Sequence, residues 1–196
     1  MPNFLAKIVK KSIMKLALML VLAYSAFFAF SMGPHELAIL VNDTSIDSVM
    51  LADYYSKLRG VPESNIIKVE IPEEVFNPRK QIKISQEDFT KYIWEPFQAE
   101  LESRGIVAQI LAVALSCDFP TTITSTPETS ITGVIFARNE LPPTGKINSG
   151  EEFSPLFAGP VNDKGQMNAS SSFDEQRVRL GAKMPLPAMM LAYTGP

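Results

Sequence analysis

The sequence predicts a three-layer α/β fold in which helices cover both faces of a parallel sheet. Short continuous apolar runs, typical of strands buried on both faces, alternate along the chain with segments whose apolar residues recur at helical spacing. The chain has 196 residues, of which 46% are hydrophobic and 20% are charged, enough for one domain with a substantial core. Right-handed crossovers between parallel strands then place the helices on opposite faces of the sheet.

The first strand–helix–strand unit begins with the apolar run at residues 37–41, which predicts a buried strand. Thr44 and Asp47 fit a capping box, in which each side chain satisfies an otherwise unpaired backbone donor. The helix ends at Gly60, because glycine adopts the left-handed conformation at little cost, and residues 66–71 form the second strand. The apolar residues of this helix recur every four positions: Ile46, Met50, Tyr54 and Leu58.

The second helix follows a polar loop at residues 72–84. Ser85 and Asp88 make another capping box, and Gly105 ends the helix. Pro96 lies inside the helical pattern and predicts a kink or a break, because proline has no amide hydrogen to donate. The apolar residues again recur every four positions: Phe89, Ile93, Phe97 and Leu101.

The remainder contains a third strand at residues 106–115, a short helix that Thr126 is expected to cap, and an irregular loop at residues 139–172. A helix at residues 173–180 and a fourth strand at residues 188–193 complete the pattern. A central parallel strand is normally followed by a covering helix, so we expect the chain to be truncated at its C-terminus. The short helix is expected to face the core with Ile131, Val134 and Ile135.

The N-terminus predicts export. Residues 1–31 hold four lysines and no acidic residue, and the apolar run 16–30 follows the lysines, which is the pattern of a signal peptide. Ala29 and Ser31 fit the −3 and −1 positions of a cleavage site, so we expect cleavage after Ser31. The alternative is an uncleaved N-terminal anchor, although the run is shorter than the roughly 20 residues of a membrane span. Either way, residues 35–196 form one domain in the periplasm or outside the cell.

Charge and composition exclude several classes of partner. Because residues 1–31 carry four lysines, the formal charge of −3 for the whole chain becomes −7 for the remainder, which does not suit nucleic acid. A single cysteine rules out an internal disulfide. The sequence has no cluster of histidine and cysteine ligands and no glycine-rich phosphate loop, so it predicts neither a metal nor a cofactor. A membrane is expected as a partner only through the N-terminal segment.

A ligand site is predicted where the first and third strands end. In a doubly wound, Rossmann-like sheet of order 2-1-3-4 these strands are neighbours, their helices leave on opposite faces, and the crevice at their carboxyl ends binds ligands. Asp43 and Asp118 would then face one pocket, where they would bind a cation or share acid–base work. The alternative is that they only cap helices and end strands. The candidate ligand-binding residues are Asn42, Asp43, Thr44, Ser45, Ser116, Cys117 and Asp118.

Cys117 is the only cysteine and raises the question of nucleophilic catalysis. A cysteine nucleophile needs a base or a field that stabilises its thiolate. His35, the only histidine, precedes the first strand, so the two side chains should be separated by the length of a strand. We therefore expect Cys117 to be a small buried residue, and the sequence predicts no catalytic residue.

Four segments carry a resemblance to a known family: residues 35–72, 111–137, 168–178 and 186–196. They resemble an uncharacterised exported bacterial family that occurs in genomes carrying exosortase, the sorting enzyme of PEP-CTERM proteins. The resemblance implies export to the bacterial envelope and the α/β fold. Members usually continue past the position of Pro196, and they tend to have Gly-Val-Pro where this chain has Cys117–Pro120, which implies no family-wide role for Cys117.

Residues 57–74 also resemble the first strand–helix–strand unit of caspase-fold peptidases such as legumain-like and gingipain-like enzymes. Those enzymes have His-Gly after the third strand and Cys after the fourth, where this chain has residues 116–118 and 193–195 without that dyad. Two hypotheses follow. The first is an exported envelope protein that binds a small molecule, glycan or peptide at the loops after strands one and three. The second is a relative of caspase-fold hydrolases that is inactive or whose catalytic residues are missing from this chain.

Overall fold

The computed structural model describes residues 32–126, 128–141, 143, 145–146 and 173–193. All the elements below belong to the unit formed by residues 34–196. The predicted signal segment and most of the irregular loop predicted at residues 139–172 lie outside the described residues. Among the helices described, none has both the length and the apolar character needed to cross a bilayer.

Within the described residues, seven strands are arranged in two sheets. They are β1 (Leu37–Asn42), β2 (Ile66–Val69), β3 (Lys83–Ser85), β4 (Ala112–Leu115), β5 (Thr122–Thr124), β6 (Thr129–Ser130) and β7 (Ala188–Met190). The main sheet has the order β2-β1-β4-β7 and all its pairs are parallel. This is the predicted order 2-1-3-4, because β1, β2, β4 and β7 are the four strands that the sequence pattern indicated.

The described part of the chain contains the helices α1 (Ile46–Arg59), α2 (Gln86–Phe89), α3 (Glu95–Ser103), α4 (Ile131–Phe136) and α5 (Phe173–Leu180). Short 3-10 turns lie at Pro34–Glu36, Glu63–Asn65 and Gly181–Lys183. Each face of the main sheet has its own apolar core. On β1, Ala38 and Leu40 join the larger core with α2, α3 and α4, whereas Ile39 and Val41 join the smaller core beneath α1. The three-layer α/β prediction is therefore confirmed.

Helix α1 differs from the prediction in its N-cap residue and in the face that it buries. Its N-cap is Ser45 rather than Thr44, because the Ser45 hydroxyl oxygen accepts a hydrogen bond from the backbone N–H of Ser48 at 3.1 Å. The residues that it buries are small: Ser48, Ala52 and Ser56. The row spaced every four residues points away from the core, with exposed fractions of 78% for Ile46 and 65% each for Met50, Tyr54 and Leu58. Four-residue spacing thus predicted the helix but not which of its faces is buried.

The predicted break at Pro96 takes the form of a π-helical turn at Thr90–Trp94, between α2 and α3. The backbone N–H of Glu95 donates to the carbonyl of Thr90, five residues back rather than four. Pro96 then lies in the first turn of α3, where an amide hydrogen is not needed within the helix. The predicted N-cap at Ser85 is confirmed, since its hydroxyl oxygen accepts from the N–H of Asp88.

A small second sheet, β3-β5-β6, was missed because its strands have only two or three residues. It lies partly in the region predicted as a polar loop and it leads into α4. Ser130, not Thr126, caps α4, because its hydroxyl oxygen accepts from the N–H of Gly133 at 3.0 Å. The predicted third strand is also shorter, since residues 107–109 form a turn before β4. The inward face of α4 is as predicted, with three buried residues: Ile131, Val134 and Ile135.

The stability of the larger core can be tested with one substitution at two sites. Val134→Ala removes two methyl groups from a side chain that is fully buried, so we expect the free energy of unfolding to fall by about 2 kcal/mol. Val178→Ala makes the same change on α5 at a side chain that is 85% exposed, and we expect a change within about 0.5 kcal/mol. Urea unfolding measures both, and equal losses would contradict this description of the core.

Candidate functional site

The turns that follow β1 and β4 lie side by side at the carboxyl edge of the main sheet. Leu40 is opposite Leu115 in the parallel register, and the backbone N–H of Ser116 donates to the carbonyl of Leu40 at 2.9 Å. Beyond the strands, the side-chain amide of Asn42 donates to the carbonyl of Asp118 at 2.9 Å. The two turns that the sequence analysis placed together are therefore in direct contact.

Asn42 holds the first turn as well as the contact with the second. Its side chain is buried, and its carbonyl oxygen accepts from the hydroxyl of Thr44 at 2.7 Å and from the Thr44 N–H at 3.3 Å. Its own backbone N–H donates to the hydroxyl oxygen of Ser48 at 3.0 Å. A buried amide with partners on both its nitrogen and its oxygen fixes the conformation of the chain around it.

Three serines join the two turns to α1. The Ser45 hydroxyl donates to a carboxylate oxygen of Asp118 at 2.5 Å while its oxygen accepts from the N–H of Ser48. The hydroxyl of Ser116 donates to the backbone carbonyl of Ser48 at 2.6 Å. The N-terminal turn of α1 is therefore hydrogen-bonded to the chain that leaves β4.

The backbone at Asp118 is in the left-handed region, with φ of 58°. Aspartate tolerates this region better than most residues with a side chain, although the conformation is still uncommon and is retained where the surroundings impose it. Here Asn42 binds the carbonyl of Asp118 and Ser45 binds its carboxylate. Unusual backbone conformations held by several contacts are typical of functional sites.

The two carboxylates predicted to face one pocket have different partners. Asp43 forms an ion pair with Lys68 of β2 at 2.8 Å, whereas Asp118 binds Ser45. A third segment reaches the same edge, since the Thr44 hydroxyl lies 3.1 Å from the carbonyl of Ile71. Within the part of the chain that the structure describes, no group of three or more His, Cys, Asp or Glu side chains could hold a metal ion.

The seven predicted site residues divide by exposure. Asp43 and Thr44 are exposed, and Ser45 and Asp118 are partly exposed. The other three are buried: Asn42, Ser116 and Cys117. A ligand at this edge would therefore contact the first four.

Cys117 is buried at the end of β4, as the sequence analysis expected. Burial raises the pKa of its thiol, and the negative charges of Asp118 and Asp47 raise this pKa further. The thiol is therefore protonated at neutral pH and a poor nucleophile. His35 lies in the 3-10 turn before β1, at the opposite edge of the sheet and about 20 Å away by strand length, so these two residues do not form a dyad.

Sequence reasoning missed two residues of this arrangement, Ser48 and Lys68. The sequence signal for Ser48 is a row of small residues spaced every four positions, which also contains Ala52 and Ser56. This row indicates the face of α1 that lies against the sheet. Lys68 has no local signal, because its pairing with Asp43 depends on the register between β1 and β2.

Comparisons of the chain with protein-family models, with curated proteins and with solved structures gave no match.

The raised pKa of Cys117 predicts how stability depends on pH. The unfolded chain loses the thiol proton near the ordinary pKa of 9.0, before the folded protein does. The contribution of the thiol is therefore complete below that pKa and is lost as the pH rises from there toward the folded pKa. Urea unfolding between about pH 7.5 and 10 should show a steeper decline in the parent than in Cys117→Ala. Equal slopes would contradict a perturbed thiol.

Proposed function

We propose that this chain is an exported protein of the bacterial envelope that binds a small molecule, glycan or peptide at the turns after β1 and β4. The observation that carries the proposal is the group formed by Asp43 and Thr44, which are exposed, and Asp118, which is partly exposed. The hydrogen bonds of Asn42 hold this group in place at the carboxyl edge of the two central strands. We call these three side chains the rim.

The position of the rim supports ligand binding. From β1 the chain passes into α1, which covers the smaller core, whereas the chain after β4 leads to α4 in the larger core. The main chain thus diverges to opposite faces of the sheet between two neighbouring strands. In open parallel α/β sheets, the ligand crevice lies at this point of divergence.

The chemistry of the rim suits a neutral ligand with several hydrogen-bonding groups. Carboxylate and hydroxyl oxygens accept hydrogen bonds from sugar hydroxyls and from peptide N–H groups. The charge of Asp43 is already balanced by Lys68, which weakens the attraction of a simple cation to this turn. Because Asn42 and Ser45 fix the turns in advance, little conformational entropy is lost when a ligand binds.

Export is supported by the pattern of residues 1–31, with its lysines, its apolar run and the small residues at Ala29 and Ser31. The resemblance to the exosortase-associated family points the same way and remains a proposal. The acidic remainder of the chain, with its single cysteine, is compatible with a periplasmic or extracellular location.

Ligand binding predicts a thermal shift that depends on the rim. Saturating glycans or short peptides should raise the melting temperature by a few degrees, and Asp118→Asn should weaken the apparent affinity about tenfold by removing the charge but keeping an acceptor. Glu63→Gln is the matched control, because it removes an exposed carboxylate at the opposite edge of the sheet. A library without a shift in the parent, or shifts unchanged in Asp118→Asn, would reject the rim as the site.

Export predicts a defined N-terminus for the mature protein. When the full chain is produced in a Gram-negative host, the periplasmic fraction should contain a form that begins at Met32, because cleavage is expected after Ser31. Intact mass spectrometry of the fractions measures this. Ala29→Lys, which places a large charged residue at the −3 position, should cause the precursor to accumulate. A chain found wholly in the cytoplasm would contradict export.

A further inference from the structure

The turn that precedes β1 is fixed to the body of the domain. The buried side-chain amide of Asn65 donates to the backbone carbonyls of His35 at 2.7 Å and of Leu37 at 3.0 Å. The side-chain amide of Gln109 donates to the same carbonyl of His35 at 2.6 Å. We call these three hydrogen bonds the N-terminal clasp. Breaking the clasp would free the chain only as far as β1, because all the residues of that strand are buried.

The residues just before the clasp are exposed, but exposure alone does not make a chain a protease substrate. Met32 is 52% exposed, and His35 is exposed as well. A protease cuts a locally unfolded segment, which it binds in an extended conformation on both sides of the scissile bond. The 3-10 turn Pro34–Glu36 is not extended. In the folded domain, only Met32 and Gly33 are left to adopt the extended conformation after Ser31.

The predicted cleavage site is therefore very close to the body of the domain. Residues 32–34 alone separate the bond after Ser31 from His35. Three residues span at most about 11 Å when they are fully extended, whereas a folded domain of this length has a radius of gyration of about 15 Å. Once the clasp holds His35, this junction leaves too little chain for a protease to bind both sides of the bond.

The contacts that fix the junction form late, because their partners are distant in sequence. Gln109 lies 74 residues after His35, and the backbone N–H of Leu111 donates to the carbonyl of Glu36 from the same distant segment. The pairing of β1 with β4 is equally non-local. Translation at about 5–20 residues per second takes roughly 4–15 s to deliver this length of chain. The bond after Ser31 is therefore accessible to a protease before the domain folds.

We propose that folding of the domain closes the predicted cleavage site, so that each exported chain becomes either a cleaved form that begins at Met32 or a stable precursor that keeps residues 1–31. Which form results depends on whether cleavage or folding comes first. The two expectations for the N-terminus, a cleaved signal peptide and an uncleaved anchor, are then two outcomes of one competition. This proposal rests on the export proposed above and adds the step that controls release of the domain.

An order-of-addition experiment on the full chain tests this competition. Precursor unfolded in urea is diluted directly into a detergent solution of bacterial signal peptidase, or it is mixed with the same peptidase only after circular dichroism shows that it has refolded. Cleavage after Ser31, measured by intact mass spectrometry, should be about tenfold faster or more in the first order, because the clasp has not yet formed. Equal rates of cleavage in the two orders would overturn the proposal and leave export intact. No cleavage in either order would overturn the export prediction and this proposal together.

A longer junction separates this geometric effect from other causes of slow cleavage. An insertion of about six glycine and serine residues between Gly33 and Pro34 adds up to about 20 Å of flexible chain, so the refolded precursor should be cleaved about as fast as the freshly diluted one. The same insertion between Arg79 and Lys80, two exposed residues in the loop after β2, is the matched control and should leave the difference between the two orders unchanged. A junction insertion without effect, or a control insertion with the same effect, would overturn the proposal.

Discussion

The burial of β1 on both faces is the constraint on which the other features of this structure depend. All six of its residues are buried, between β2 and β4 on its edges and between two apolar cores on its faces. Polar groups at the end of such a strand have no access to water and must be satisfied by the protein itself. Asn42 meets this requirement, and by doing so it bonds the turn after β1 to the turn after β4. The same residue therefore ends the strand and builds the edge where a ligand is proposed to bind.

Much of the fold could be predicted because each strand of the main sheet has a strong local pattern in the sequence. Strands buried on both faces are continuous apolar runs, and the order of the four main strands follows from short, right-handed connections. Errors arose where the determining interaction is not local. Ser45 rather than Thr44 caps α1, because Thr44 is held by Asn42 and reaches Ile71, a partner 27 residues away. The small sheet was missed because its strands are too short to show a period.

The contact between the two turns was predicted, but the partners of their side chains were not. The topology of the sheet brings the turns at Asn42 and Asp118 together, and that much follows from strand order alone. The partners of each carboxylate depend on register and on side-chain conformation, which no pattern in the sequence records. Lys68 on Asp43 and Ser45 on Asp118 separate two groups that the sequence suggested would act as a pair. A spacing of four residues was likewise ambiguous, since on α1 it marks both the buried row of small residues and the exposed row of large ones.

The π-helical turn at Thr90–Trp94 compensates for the gradual rotation of the buried side chains around the helix axis. An α-helix completes a turn in 3.6 residues, so side chains placed every four residues rotate steadily around its axis. Phe89, Ile93, Phe97 and Leu101 have that spacing, yet all four are buried in the larger core. The wider coil of the π turn takes up extra chain and reverses part of the rotation between the first and last of them. A single locally unwound turn thus keeps one side of a long helical segment in phase with the layer of strands that it covers.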